Sequence, residues 1–385
     1  MRIGIVTGEF FPMQGGVGDF TRELSAALSA LDHQVLVLAP AGSRWENIPA
    51  GCALHPDVIR WDWSLASRLR HWVQANGIDL VNLQYQAAAY GMHPALNLLP
   101  PSFASAPLAV TFHDLKVPYL FPKAGRLRWF AIRRLAQKAA GVIVTNREDR
   151  LRLEGAAAIT RLALIPIGSN IPAVPPANYD RAAWRSDRGI SPEETLLGYF
   201  GFLNESKGGE ELIEALHYLQ EARVPVKLLM IGGRTGSSDA TNKAYADRID
   251  ALVSRRGVQD RILRTGYVPA QAVSAAFLAT DICVLPYRDG ISFRRGSLMA
   301  ALAHGRPIVA TQPAIELPEL RQKENVYLVP PCNPLALVEA VITLHDNAAL
   351  RARLAAGAET LAQNFRWDNI AQATADFFQR LRTGD

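Results

Sequence analysis

Short apolar runs alternate with amphipathic helical stretches from one end of the chain to the other. A strand inside a parallel sheet is covered on both faces, so it reads as a continuous apolar run, and its crossover to the next strand needs a helix. The alternation therefore predicts parallel α/β architecture. In the first half the strand candidates are Ile3–Thr7, Val35–Ala39, Leu80–Leu83, Leu108–Phe112, Val142–Thr145 and Leu162–Ile165. Helical stretches such as Phe20–Leu31, Leu65–Ala75 and Leu127–Ala139 lie between them. The second half repeats the plan with Leu196–Phe200, Leu228–Ile231, Ile262–Thr265, Ile282–Pro286, Ile308–Thr311 and Val326–Val329.

A chain of 385 residues exceeds one ordinary core and suits two domains. Pro172, Pro175 and Pro176 preclude a helix and mark an extended linker at 171–178. Hydrophobic residues make up 49% and charged residues 20%, a globular balance that excludes a disordered or fibrous chain. No run approaches the roughly 20 apolar residues of a membrane span, and the first residues read as a strand rather than a signal peptide. The expected location is the cytoplasm. Cys52, Cys283 and Cys332 are too far apart for metal-ligand spacing, and no metal site or disulfide framework is expected. The net charge of +5 permits an anionic ligand without identifying one.

Ligands of open α/β sheets bind on loops at the carboxyl ends of strands. The first such loop, 8–19, carries Gly15, Gly16 and Gly18 at the mouth of a helix, where free amides can face an anion. A glycine-rich turn without ligand accounts for the same residues. A dinucleotide loop fits poorly, because G-x-G-x-x-G should follow the strand at once, and no carboxylate ends the next strand at Leu38-Ala39-Pro40. The loop after Leu196–Phe200 holds Asn204, Lys207, Gly208 and Gly209 just before a helix, a cation with backbone amides that suits a diphosphate. It is not a Walker A loop. His113 follows Leu108–Phe112 directly, with Asp114 able to orient or charge it. A polar loop after Ile282–Pro286 holds Arg288, Ser292, Arg294, Arg295, Gly296 and Ser297, guanidinium groups beside a helix start.

The order GGVG, VTFHD, IPIGSN (165–170), GFLNESKGG, the strand–loop–helix of 281–311 and the terminal FRWD (365–368) resembles the retaining glycosyltransferase family 4 (group 1), of the GT-B fold. The resemblance runs over essentially the whole chain. It implies two Rossmann-like domains with parallel sheets facing a central cleft, the last helix crossing back to the first domain. The implied domains are residues 1–172 with 366–385, for the acceptor, and 173–365, for the donor. It further implies that Gly15, Gly16 and Gly18 face donor phosphates and acceptor, that His113 meets the donor sugar, and that Lys207 binds the diphosphate. No cofactor is implied: the nucleotide-diphosphate sugar is a substrate, and transfer proceeds without metal and with retention.

Two positions depart from the family pattern. Phe202 replaces an arginine common before the lysine loop. The glutamate pair spaced E-x7-E is missing, with Ser292 and Ala300 in its place. Asp289 is out of register to substitute for the first glutamate. The arginine–serine loop is expected to keep or strengthen anion binding while sugar and ribose recognition is rebuilt. From Leu115 to Arg147 basic residues accumulate and no acidic residue occurs, and helix 126–139 places Trp129, Ile132, Leu135, Ala136 and Ala139 on one side. Arg126, Arg133, Arg134 and Lys138 fall on the other, with Leu127 and Phe130. Such a face can rest on anionic lipid, which would suit a lipid-linked or saccharide acceptor; a solvated helix face explains it equally. Nucleic acid is not expected. Three readings compete with a transferase: an epimerase-like GT-B enzyme, a silent nucleotide-sugar-binding module, and a dehydrogenase.

Overall fold

The computed structural model describes residues 1–13, 15–115, 125–155, 159–233 and 240–384. The chain divides into two compact units, Met1–Gly168 with Arg366–Asp385, and Ser169–Phe365.

The first unit runs β1 (Arg2–Thr7), α1 (Gly16–Ser29), β2 (Gln34–Pro40), β3 (Cys52–Val58), α2 (Leu65–Asn76), β4 (Leu80–Tyr85), β5 (Ser102–Phe103), β6 (Ala106–Phe112), α3 (Gly125–Lys138), β7 (Gly141–Val144), α4 (Arg147–Glu154) and β8 (Leu162–Leu164). Its sheet has the order β3-β2-β1-β4-β6-β7-β8, with β5 paired antiparallel to the start of β6. The other pairings are parallel. β4 and β7 are buried along their whole length, as central parallel strands must be. β3 was not among the strands read from sequence. It lies at the sheet's edge and includes His55 and Pro56, which interrupt the apolar run, and proline is tolerated there because an edge strand leaves N–H groups unpaired.

The second unit comprises α5 (Arg181–Ser186), β9 (Thr195–Phe200), α6 (Gly209–Glu221), β10 (Val226–Ile231), α7 (Ala240–Arg256), β11 (Ile262–Arg264), α8 (Ala270–Ala279), β12 (Ile282–Leu285), α9 (Gly296–Ala303), β13 (Ile308–Thr311), β14 (Tyr327–Val329), α10 (Pro334–Asp346) and α11 (Ala348–Ala362). Its sheet order, β11-β10-β9-β12-β13-β14, is the Rossmann order, and every pairing is parallel. In both sheets the direction of winding reverses at one place, β1/β4 in the first and β9/β12 in the second. Loops leaving the carboxyl ends there are splayed to opposite sides and leave a crevice.

The last helix, α12 (Trp367–Thr383), belongs to the first unit. Ile370, Phe377, Phe378 and Leu381 form its apolar stripe and join Ile3, Ile5 and Phe20 in one core. Gly141 lets the helix lie on β7, since a Cβ there would come within 2.6 Å of the Leu381 methyls.

Candidate active site

In the first unit the loop after β1 turns its own carboxylate into the start of α1. Glu9 Oε1 accepts from the Val17 N–H at 2.7 Å and the Gly18 N–H at 3.2 Å. Burial pushes the Glu9 carboxyl above its ordinary range, and the two amides pull it back in part. A Cβ on Gly15 would overlap the Glu9 carboxylate. One of the glycines expected to face donor phosphates, Gly18, thus has its amide occupied by Glu9, while Gly16 opens on free space. Gly18 instead allows close packing, its missing Cβ lying 3.1 Å from Glu9 O. Gln14 lies outside the described residues.

His113 follows β6 and is half-buried. Its Nε2 lies 2.7 Å from Gln84 Oε1 at the end of β4, and its ring meets Phe20 edge-on at 4.7 Å. Burial lowers the imidazole to about 3, so it is neutral at physiological pH. Asp114 is half-buried beside it. The next residue, Leu115, donates its N–H to the buried Asp149 carboxylate at 3.2 Å, which ties the strand end to α4.

In the second unit the loops after β9 and β12 meet at the switch point. The Arg288 N–H donates to Ser206 O at 2.9 Å, and a Cβ on Gly208 would overlap the Pro286 carbonyl oxygen. Asn204 caps the turn, accepting from the Lys207 N–H at 3.1 Å and the Ser206 hydroxyl at 2.9 Å. Lys207 Nζ forms no hydrogen bond or ion pair among the described residues. Burial, and then the Arg295 guanidinium, lower it to about 8.

The arginines expected to serve as open cations are already paired. Arg288 donates to Glu211 at 2.7 Å, Glu210 at 2.5 Å and Glu205 at 3.3 Å. Arg294 and Arg295 both reach Asp289, at 3.0 and 2.5 Å. Arg295 also stacks over Tyr287 at 4.6 Å. Asp289, out of register for the missing glutamate, is the counter-charge of the loop. Ser297 is buried and hydrogen-bonded to the Tyr287 hydroxyl. Ser292 is buried and accepts from the Arg294 N–H at 3.4 Å. Gly296 opens α9 with free space above it. Ala300, where a ribose-holding glutamate would stand, is fully buried in α9 and presents no polar group.

Helix α3 buries Ile132, Leu135 and Ala136 and leaves Leu127 and Phe130 75% and 67% exposed. Arg134 does not reach freely into solvent: its Nη1 donates to Asn97 O at 3.0 Å. Lys116 and Lys123 lie outside the described residues. Among the described residues no helix is long and apolar enough to cross a membrane.

The group 1 glycosyl transferase model matches residues 194–347, and the glycosyl transferase 4-like domain model matches residues 15–168. The chain belongs to the group 1 glycosyltransferases. Within that family it is 28% identical to the phosphatidyl-myo-inositol mannosyltransferase of Mycobacterium leprae, over 100% of this chain and 98% of the relative. It is 31% identical to the D-inositol 3-phosphate glycosyltransferase of Xylanimonas cellulosilytica, over 60% of this chain and 54% of that protein. Anabaena HepE, solved with UDP-glucose, superposes on this group 1 family member with a TM-score of 0.75 at 19% identity, covering 98% of each chain. Sucrose-phosphate synthase of Thermosynechococcus elongatus does so at 0.76 and 19%, covering 100% of each. These likenesses establish the GT-B fold, two parallel-sheet α/β units with the helical C-terminal segment.

Sequence reasoning missed Glu9, Gln84 and Asn82. The last two sit at alternate positions of β4, where a buried parallel strand should be apolar, and that break in pattern is the signal that was available.

Proposed function

We propose that this protein transfers a glycosyl group from a nucleoside diphosphate sugar to an acceptor hydroxyl, with retention of configuration and without a metal ion. The observation that carries this is Lys207: a cation with no partner among the described residues, at the switch point of the second sheet, amid arginines that each already pair with a carboxylate. A half-desolvated ammonium is stabilised by an arriving diphosphate, which holds it in its charged form and supplies the missing acceptor. The amides at the starts of α6 and α9 add positive potential. Lys207 thereby stabilises the departing nucleoside diphosphate. His113 meets the sugar as a neutral hydrogen-bonding group, and a donor phosphate oxygen receives the acceptor proton as the hydroxyl attacks the face that the leaving group vacates. The relatives' names include a phosphatidyl-inositol mannosyltransferase, and we assign the acceptor to saccharides or lipid-linked sugars, with α3 as an optional membrane contact.

The test is turnover of UDP-, GDP- and ADP-sugars in the presence of EDTA, with product anomeric configuration read by NMR. Release of nucleoside diphosphate that is lost in Lys207→Met supports the reading; tight nucleotide binding without turnover for any donor and acceptor favours the silent binding module instead. Inversion, or a requirement for added divalent metal, would refute those parts of the proposal separately.

A further inference from the structure

Asn82 and Gln84 are both fully buried on the central strand β4, although two uncompensated amides there would cost several kcal/mol. They are compensated by a directional chain. Asn82 Nδ2 donates to the Ala109 carbonyl at 3.4 Å and to Thr111 Oγ1 at 2.9 Å. A backbone carbonyl can only accept, so the amide nitrogen of Asn82 must face it and Oδ1 must turn the other way. Oδ1 there accepts from Gln84 Nε2. Gln84 Oε1 is in consequence directed at His113 Nε2, 2.7 Å away. An amide oxygen also only accepts, so Nε2 is the protonated nitrogen. The parallel register of β4 and β6, which pairs Asn82 with Ala109 and Gln84 with Thr111, builds this chain.

We infer that Asn82 and Gln84 are positioning residues that lock His113 in the Nε2–H tautomer, presenting Nδ1 as an obligate hydrogen-bond acceptor to a hydroxyl of the bound sugar. Nδ1 has no partner among the described residues, so it is the ring atom left for substrate. Burial, which lowers the imidazole to about 3, keeps the lone pair unprotonated at working pH. The sugar contact rests on the assignment of His113 made under Proposed function; the tautomer does not.

Imidazole-15N-labelled protein, with the His113 signal identified by its loss in His113→Ala, tests the two separately. The ligand-free protein at pH 7 should show one neutral tautomer with Nε2 protonated, and Gln84→Met should show both tautomers. Turnover in Gln84→Met should fall about ten- to a hundredfold, the scale of one unsatisfied polar contact. It should fall little further when His113→Ala is added. An Nδ1–H tautomer in the wild-type protein overturns the inference, and that measurement stands even where Gln84→Met fails to fold. An unchanged tautomer in folded Gln84→Met overturns it as well, and unchanged turnover there overturns the sugar contact. If the tautomer is as expected while His113→Ala turns over normally, the sugar contact fails and the relay survives.

Discussion

Gly208 packs so closely on the Pro286 carbonyl oxygen that no Cβ fits between them. This backbone contact joins the loop that carries Lys207 to the loop that carries Arg288, Asp289 and Arg295. The residue has φ +66, in the left-handed region that favours glycine.

Gly208→Ala should therefore lose about 2–4 kcal/mol of stability, from left-handed strain and overpacking together. Gly296→Ala, at a helix start with open space, should be close to neutral. Thermal unfolding of the two variants, with nucleotide diphosphate affinity measured alongside, checks the contrast. Equal behaviour would mean the loops are not held by this contact.

Lys207→Met should weaken nucleoside diphosphate binding about ten- to a hundredfold, the loss of one hydrogen bond to a charged group. With the free amine at about 8, wild-type affinity should decline as pH rises through that value. Binding above it should take up a proton, because the diphosphate restores the ammonium. Calorimetry in buffers of different ionisation enthalpy reads this uptake, which Lys207→Met should abolish. The unfolded chain holds this proton more tightly than the ligand-free fold does. Stability from this group accordingly increases between about pH 8 and 10.5.

Arg288 is expected to act on stability rather than on donor affinity. Its removal leaves the buried Glu211 carboxylate without its Arg288 counter-charge, while Glu210 keeps Arg248 at 3.5 Å. Breaking a buried pair costs about 3–5 kcal/mol, and the partial exposure of Arg288 brings the expected loss for Arg288→Ala to about 2–3 kcal/mol. Denaturant unfolding should register this while nucleotide affinity changes less than in Lys207→Met. The opposite ranking would return Arg288 to the donor site.

Glu9 gives a stability prediction of the opposite sign to an ordinary surface carboxylate. Its folded pKa is raised, chiefly by burial, so its contribution is fully present below about pH 4.5 and declines as pH rises past the raised value. Glu9→Gln keeps an acceptor for the Val17 and Gly18 amides without the buried charge. It should melt at or above the wild-type temperature at pH 7–8, and the advantage should vanish toward pH 4.5. A lower melting temperature at pH 7 would show that the carboxylate's charge at the start of α1 outweighs its desolvation.

The expected strands Ile3–Thr7, Leu108–Phe112 and Leu196–Phe200 fall within β1, β6 and β9, because a strand buried on both faces writes its apolar character directly into consecutive residues. β3 escaped because an edge strand has no such requirement. Helix α3 shows the same division. Its inner face at Ile132, Leu135 and Ala136 was legible from a period of about 3.6 residues, while the tether of Arg134 to Asn97 O was not, since its partner lies 37 residues away.

For the site, the residue types were legible and their electrostatic state was not. Gly15, His113, Lys207 and the arginines of 288–295 stand on loops after strands, and local pattern is enough to find them. Whether a cation is free depends on carboxylates brought from elsewhere: Glu210 and Glu211 reach Arg288 across 78 and 77 residues of sequence. By itself the sequence determined two parallel α/β units and the loops that carry the chemistry, because periodicity and glycine placement are local properties. Only the tertiary structure decided that Lys207 has no partner among the described residues, that Glu9 occupies the start of α1, and that Gln84 orients His113. Those are pairings between separate strands and loops, and hydrogen-bond geometry exists only once the sheets have brought them together.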